Sequence, residues 1–574
     1  MRTALLAIAF VLSLFAARLF QLQGLDANAY AAMAEAEGTR EVTLHAARGR
    51  ILDRNGNELA SSVDAVAITA DPTMTADDAT RIAAVLADTL QLDYFTTVDK
   101  LRTPDTQFVY LARRIPTWRA ATMFAALDDA ELAGVFSERD PLRTYPESRA
   151  VSNLVGIVGE DPDADEDEDD GGTGLELQFD DILRGSDGEA TYVNSPGGEQ
   201  IPMAGSSVQP AVDGQDIVTT LDRELQYFSS ERLANQVRAT GSDWGAAITI
   251  DVQTGQIFQF AQYPTFNPDS ASLDVDATTN PGIDFVFEPG SVQKVLTFAA
   301  VADRGKVTPR TRFTVPRALH VDGFEINDVT EHGTIRLTAT GAIAKSSNIA
   351  TILASRRISR EQLGSYLSGF GLGQETGIPL PGESAGIVAP ADTWSDAHAA
   401  TVAFGQGLSV TALQMAAAVG TIANGGEYIA PTLVSGFGQP DGSVEDSPAP
   451  LTRRVVSERA ARTVATMMTA VTQEGGSAPD AGIPDYLVAG KTGTSQRASA
   501  TGGYEAGGRT ISFVGFAPAD EPRFVTYVVL DNPSDGSFGG TGAGPVFRDI
   551  MAMALQKYGV EPTGSRPADI PLEW

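Results

Sequence analysis

From Val292 to Ala302 the chain reads as a helix that is apolar nearly all the way round, built on Val295, Leu296, Phe298, Ala299 and Val301. Such a helix offers water no broad face, so it belongs inside a core with other layers around it. The stretch Glu288-Pro-Gly-Ser-Val-Gln-Lys294 leads into it, a turn at Pro289 and Gly290 delivering Ser291 to the helix start. Ser291 and Lys294 are three residues apart and share a face, so hydroxyl and amine can meet. An amine held in a core loses hydration, which disfavours its charged form and lowers its pKa. A neutral lysine beside a serine is a general base beside a nucleophile. The whole chain has only six lysines: Lys100, Lys294, Lys306, Lys345, Lys491 and Lys557. Codon bias accounts for the scarcity, but it does not account for a lysine at this position.

Composition removes several alternatives. At 574 residues the chain should hold at least two domains. A formal net charge of −33 argues against nucleic-acid binding, which needs a basic footprint. With no cysteine there is neither a disulfide framework nor a thiolate metal site. The four histidines (His45, His320, His332, His398) have no HExxH or similar spacing, so a zinc hydrolase is not expected.

Residues Ala4 to Ala17 are apolar, and Leu19-Phe20 extend the run past Arg18. An uncleaved membrane signal anchor over residues 1–22 is the favoured reading, a cleaved signal peptide the competing one. Ala29 to Ala36 then reads as a helix. In Ala47-Arg-Gly-Arg-Ile-Leu-Asp-Arg-Asn-Gly-Asn-Glu-Leu-Ala60, residues 53–56 form a turn between two short strands. Residues 61–215 alternate short strands with helices at Ala76–Leu92 and Trp118–Leu132 and carry no catalytic constellation, so 23–215 reads as an α/β pedestal. Within it the acidic run at 160–170 is expected to be a solvated loop rather than a calcium site. A second domain spans 216–560. It opens with a helix at Thr220–Gln236 and a hairpin of strands 246–251 and 256–261. A mostly helical middle reaches about Ala423. Strands at 486–489, 510–516 and 524–530 and a helix starting at Pro545 close the domain. This order suggests one antiparallel sheet with helices packed on it. Residues 561–574 read as a disordered tail.

Two later motifs strengthen the Ser291–Lys294 pair. Ser346-Ser347-Asn348 begins 55 residues after Ser291, and Lys491-Thr492-Gly493-Thr494 lies 145 residues further on. S-x-x-K, S-x-N and K-T-G in this order form the signature of serine enzymes that acylate on penicillin. Three decoys fail on context. Gly382-Glu-Ser-Ala-Gly386 has prolines where a nucleophile elbow needs a strand and a helix, Gly369 to Gly373 lacks a dinucleotide loop's last glycine, and Glu383 lacks the pattern of a deacylating glutamate.

Beyond these motifs, Arg48 to Ala60, Gly174 to Gly185, Phe404 to Gln414 and Ile511 to Pro518 resemble class B penicillin-binding proteins over nearly the whole chain. The resemblance implies an α+β multidomain protein. Its parts would be an N-terminal membrane anchor, an α/β pedestal of the dimerisation type and a transpeptidase domain, whose five-stranded antiparallel sheet carries helices on both faces. It implies peptidoglycan D,D-transpeptidation without metal or cofactor: Ser291 is acylated by a stem peptide ending in D-Ala-D-Ala, and β-lactams acylate the same serine. Lys294 would be the base, Ser346 a proton relay, Asn348 a support for Lys294 and the substrate amide, and Lys491 a source of positive field. The hydroxyls of Thr492 and Thr494, flanking Gly493, would suit a substrate carboxylate, and the N–H groups of Ser291 and Thr494 would bind the oxyanion. Arg18 to Ala31 looks most like the membrane-exit segment of actinobacterial division enzymes of the FtsI type. That implies an FtsW-type glycosyltransferase and other divisome proteins as partners, and an extracytoplasmic catalytic domain on a single-pass anchor. An elongation-type transpeptidase or a D,D-carboxypeptidase shares the motifs. A β-lactam-sensing receptor would need signalling mass before the anchor, and a β-lactamase would lack the pedestal.

Overall fold

Ile68 and Ala70, on the central strand of a small antiparallel sheet, explain how the first part of the chain closes. In the computed structural model, which describes residues 2–21, 39–160, 169–193, 207–270, 275–439, 441–499 and 503–574, that strand is Ala65–Ala70. It pairs with Val109–Pro116 on one side and Val135–Arg139 on the other. Helices Ala79–Leu90, Tyr94–Leu101 and Thr117–Asp129 contribute Ile82, Leu86, Leu101, Met123 and Leu127 to the core over these strands. This unit comprises residues 1–49, 62–143 and 184–215.

The second unit comprises residues 50–61, 144–183 and 216–574, so it takes in two segments that precede residue 216. The first of them is held by backbone pairing and by one carboxylate. Ile51–Leu52 runs parallel to Ile217–Thr219. The fully buried Asp53 accepts from the N–H groups of Asn55 and Asn57 (both 2.8 Å) and of Arg223 (3.2 Å). A buried carboxylate needs such donors. The acidic run falls largely outside the described residues; its margins, Val158–Glu160 and Asp169–Gly171, pair antiparallel.

Five strands form the main sheet of this unit: β1 (Trp244–Asp251), β2 (Ile257–Tyr263), β3 (Ala489–Ala498), β4 (Tyr504–Ala517) and β5 (Phe524–Asp531). They lie in the order β2-β1-β5-β4-β3, every pair antiparallel. All residues of β1 and β5 are buried, as central strands covered on both faces require. Neighbouring residues of β5 show the two covers: the Phe524 ring meets Tyr558, just beyond helix Gly544–Lys557, while Val525 faces Gly420 of helix Ala412–Ala423. The helix Gln293–Asp303 is buried among other helices, as its all-round apolar character demands.

Three expectations need correction. The strand expected at 486–489 lies instead at Ala489–Ala498, sharing only Ala489 with it. The helical middle contains the short strands Arg312–Val315, Ala318–Val321, Phe324–Asn327 and Ile335–Thr338. The segment 561–574 docks rather than trailing free. Thr338 gives its N–H to Leu572 O (3.0 Å) and its hydroxyl to Pro571 O (2.8 Å), Lys345 pairs with Glu573, and Arg312 and Arg336 lie over the Trp574 ring at 4.8 and 5.1 Å. Composition alone suggested disorder; an aromatic ring between two guanidinium groups overrides it. Residues Arg2–Phe20 are helical, and among the described residues no helix is long and apolar enough to cross a membrane. The helix expected at 29–36 lies outside the described residues.

Candidate active site

The sequence places Ser291 in a one-turn 3-10 segment, Gly290–Val292, that feeds the buried helix. Gly290 takes a φ of +54°, and a Cβ there would stand 2.6 Å from the carbonyl oxygen of Thr494. The Thr494 carbonyl therefore points off the free edge of β3 toward the nucleophile turn. In an antiparallel strand a residue's N–H points the same way as its C=O, so the Thr494 N–H is directed off that edge too. Gly493 is equally constrained, because a Cβ would lie 2.1 Å from Ser512 Oγ.

Behind this turn the two motif lysines are fully buried. Lys294 donates to both the carbonyl and the hydroxyl of Ser346, the latter at 3.2 Å. Lys491 donates to the same hydroxyl at 2.9 Å and to Thr492 O at 2.9 Å. Burial, opposed by the charge of Asp328, pushes the Lys294 amine down to about 7. Burial and then the charge of Lys294 hold Lys491 well below its ordinary value. Two amines bonded to one hydroxyl cannot both carry charge cheaply, so their protons come off as a coupled pair.

Ser346 itself sits at φ +56°, a conformation that L side chains rarely adopt. The adjoining turn is pinned by a loop that no motif announced. Asp328 accepts from the Ser347 hydroxyl (2.7 Å) and the Ile349 N–H (3.0 Å), and the Asn348 side chain donates to Asn327 O (2.9 Å). His332 Nε2 stands 3.0 Å from Asp328. Burial works against the His332 cation, but the Gly333 carbonyl and the Asp328 carboxylate outweigh it and hold its pKa above the ordinary value. On the other side of the turn, Glu288 accepts from the Gly407 N–H (2.8 Å) and the Tyr504 hydroxyl (3.0 Å).

In front of Ser291 lies a cleft of about 450 Å³ whose lining includes Asn348, Thr494, Gln496 and Arg509. The structure thus brings Ser291, Lys294, Ser346, Asn348, Lys491 and Thr494 to one place, with two departures from expectation. Asn348 engages Asn327 rather than Lys294. Thr492 is buried, its hydroxyl 3.2 Å from both Lys491 Nζ and Ser477 Oγ, and does not line the cleft. Glu383 accepts from the N–H groups of Thr376 and Gly377 (2.7 and 3.0 Å), as a loop-stabilising residue would. Among the described residues no group of side chains is arranged to hold a metal ion.

Residues 245–552 match the penicillin-binding protein transpeptidase domain, and residues 43–219 the penicillin-binding protein dimerisation domain. The chain is a class B penicillin-binding protein. Among its relatives, penicillin-binding protein PbpB of Mycobacterium tuberculosis is 36% identical over 96% of this chain and 84% of its own length. The peptidoglycan D,D-transpeptidase FtsI of Escherichia coli is 31% identical over 98% of this chain and 92% of its own length. Among solved structures, penicillin-binding protein 3 of Mycobacterium tuberculosis in complex with aztreonam is 32% identical, with a TM-score of 0.71 over 93% of this chain and all of that one. A peptidoglycan synthetase of Bifidobacterium adolescentis is 31% identical, with a TM-score of 0.74 over the same shares.

In this penicillin-binding protein the Asp328 carboxylate both fixes the Ser346–Asn348 turn and supports the charged form of Lys294. Replacing Asp328 by asparagine keeps an acceptor for the Ile349 N–H but removes the charge. The midpoint of the pH profile for penicillin acylation is then expected to move down by roughly one unit. Stopped-flow labelling of the variant across pH checks this, and an unmoved midpoint would refute an electrostatic role for Asp328.

Proposed function

We propose that this penicillin-binding protein is a serine D,D-transpeptidase that cross-links peptidoglycan stem peptides during septal wall synthesis, with Ser291 as the acylated nucleophile. The observation that carries the residue assignment is the Ser346 hydroxyl held by two buried lysines behind Ser291. A neutral lysine amine has two N–H donors and one lone pair. With both donors committed to Ser346, the lone pair of Lys294 is free to take the Ser291 proton. Ser291 Oγ then bonds to the carbonyl carbon of the penultimate D-Ala, and the negative oxygen forms between the N–H groups of Ser291 and Thr494. Collapse breaks the C–N bond. The proton held by Lys294 passes through the Ser346 hydroxyl to the departing D-Ala amine, with Lys491 fixing that hydroxyl. An amine of a neighbouring stem peptide attacks the ester, gives up its proton along the same route reversed, and leaves Ser291 free. Gly493 and Thr494 form the strand edge on which the peptide's terminal carboxylate is recognised, with Lys491 supplying positive field from behind it. Asn348 contributes to the substrate amide from the opposite wall.

The apolar run at residues 4–17 supports single-pass attachment to the cell membrane with the catalytic unit outside. An FtsW-type glycosyltransferase and divisome proteins are the partners that a septal role requires.

Labelling with a fluorescent penicillin, followed by mass analysis of the modified peptide, tests the reading. The expected result is a stable adduct on Ser291 that Ser291→Ala abolishes. Rapid loss of the label would make the chain a hydrolase of β-lactams, and the absence of an adduct would remove the acyl-enzyme mechanism altogether.

A further inference from the structure

The cleft in front of Ser291 does not end at Thr494. It continues along β3 through Ser495 and Gln496 to Arg509, which lies directly across from Gln496 on β4. The Arg509 guanidinium carbon stands 5.1 Å from the centroid of the Phe538 ring, and its Nε is buried without a hydrogen-bond partner. Among the described residues Arg509 has no carboxylate within ion-pair distance. Asp535 feels its charge but directs its own oxygens to the N–H and hydroxyl of Ser537 (2.9 and 2.5 Å). The neighbouring Arg497 behaves in the opposite way and is met by Asp243, Glu505 and Asp531. Glu505, which also lines the cleft, is thus engaged with Arg497. In a chain with 74 acidic and 41 basic side chains, a cleft arginine without a carboxylate is against the odds. Arginine cannot shed its proton to relieve the cost of partial burial. A missing partner therefore points to an anion brought by the ligand.

Position along the strand says which part of the ligand. Lys491, whose field is assigned above to the peptide's terminal carboxylate, precedes Thr494, whereas Gln496 follows it by two residues, roughly 7 Å at strand spacing. Arg509 accordingly stands on the other side of the oxyanion site, where the acyl portion of the donor must lie.

We infer that Arg509 binds a second carboxylate of the donor peptide, one carried on the acyl side of the scissile bond, such as that of a dicarboxylic amino acid in the stem. The inference rests on the transpeptidase reading and adds a specificity determinant to it. A simple pair of probes isolates it: carbenicillin is benzylpenicillin with one extra carboxylate on its side chain. Second-order acylation rates of both compounds are measured on the whole chain and on its Arg509→Gln and Arg509→Lys variants. The carbenicillin-to-benzylpenicillin rate ratio is expected to fall by about tenfold in Arg509→Gln, the scale of one charge-assisted contact, and to fall less in Arg509→Lys. It is also expected to weaken with salt in the wild-type chain but not in Arg509→Gln. An unchanged ratio in Arg509→Gln overturns the inference, whether the two rates stay put or drop together, since a merely structural arginine would affect both compounds alike. Failure of both compounds to acylate the wild-type chain would instead overturn the acyl-enzyme reading, and this inference with it.

Discussion

Replacing Lys294 by arginine is expected to slow penicillin acylation of Ser291 by about a thousandfold, within the range that a lost general base produces. Arginine fills much of the same space but stays charged, so it has no lone pair with which to receive the Ser291 proton. The wild-type pH profile carries the matching signature. Burial pushes Lys294 down to about 7, so the amine is protonated and inactive below that pH and becomes neutral as pH rises through it. Acylation should accordingly climb through neutrality and level off above it, whereas the arginine variant should show no such limb. The same shift has a consequence for stability, and its sign is opposite to that of a paired lysine. Between about pH 7 and 10.5 the unfolded chain holds a proton on this residue that the folded chain has released, so stability rises with pH over that window. Stopped-flow labelling and denaturation midpoints across pH measure the two effects separately. An arginine variant that retained wild-type acylation would transfer the base role to Lys491.

Those residues were readable in advance because each depends on short-range geometry. Helix spacing joins Ser291 to Lys294, and the burial that lowers the lysine pKa follows from Val295, Leu296 and Phe298 lying around it. The two lysine motifs were likewise legible as strings, although only the fold shows that they converge on the single hydroxyl of Ser346. Asp328 and His332 were invisible for a physical reason. They reach the Ser346–Asn348 turn from a loop about twenty residues earlier, across chain that carries no periodicity. Asn348 shows the same limit from the other side: its identity was readable, but its partner, the carbonyl of Asn327, depends on tertiary packing. The last residues of the chain were misjudged because Pro571-Leu-Glu-Trp574 has the composition of a loose end. What orders it is a complementary surface made by Thr338, Lys345, Arg312 and Arg336. The strand edge that presents Thr494 belongs with these. Sequence placed a strand at 486–489, ahead of Thr494, and the position of the observed strand at the edge of the sheet depends on the order in which five distant segments pair.

That edge is the basis of the second large effect. Replacing Gly290 by alanine is expected to reduce acylation by about a hundredfold, the cost of displacing a nucleophile by roughly an ångström. A Cβ at Gly290 would meet Thr494 O at 2.6 Å and Thr494 C at 2.9 Å, both backbone atoms of a paired strand that cannot swing aside. The turn cannot retreat either. The Gly290 N–H donates to Gly405 O at 3.0 Å, and the backbones touch so closely there that a Cβ on Gly405 would stand 1.9 Å from Gly290 O. The added methyl must therefore push Ser291 away from the Thr494 N–H, and the oxyanion loses its alignment while Lys294 stays on its helix. Part of the damage is the left-handed backbone alone, worth about 1–2 kcal/mol for any residue with a side chain. Gly382 supplies the control, since it has a φ of +84° with no atom within 4 Å of its Cβ position. Gly382→Ala should lower the denaturation midpoint through backbone strain yet acylate at the wild-type rate. Gly290→Ala should lose acylation far beyond what its midpoint explains. If the two alanine variants lost acylation equally, strain rather than the spacing between Ser291 and the edge of β3 would control the reaction.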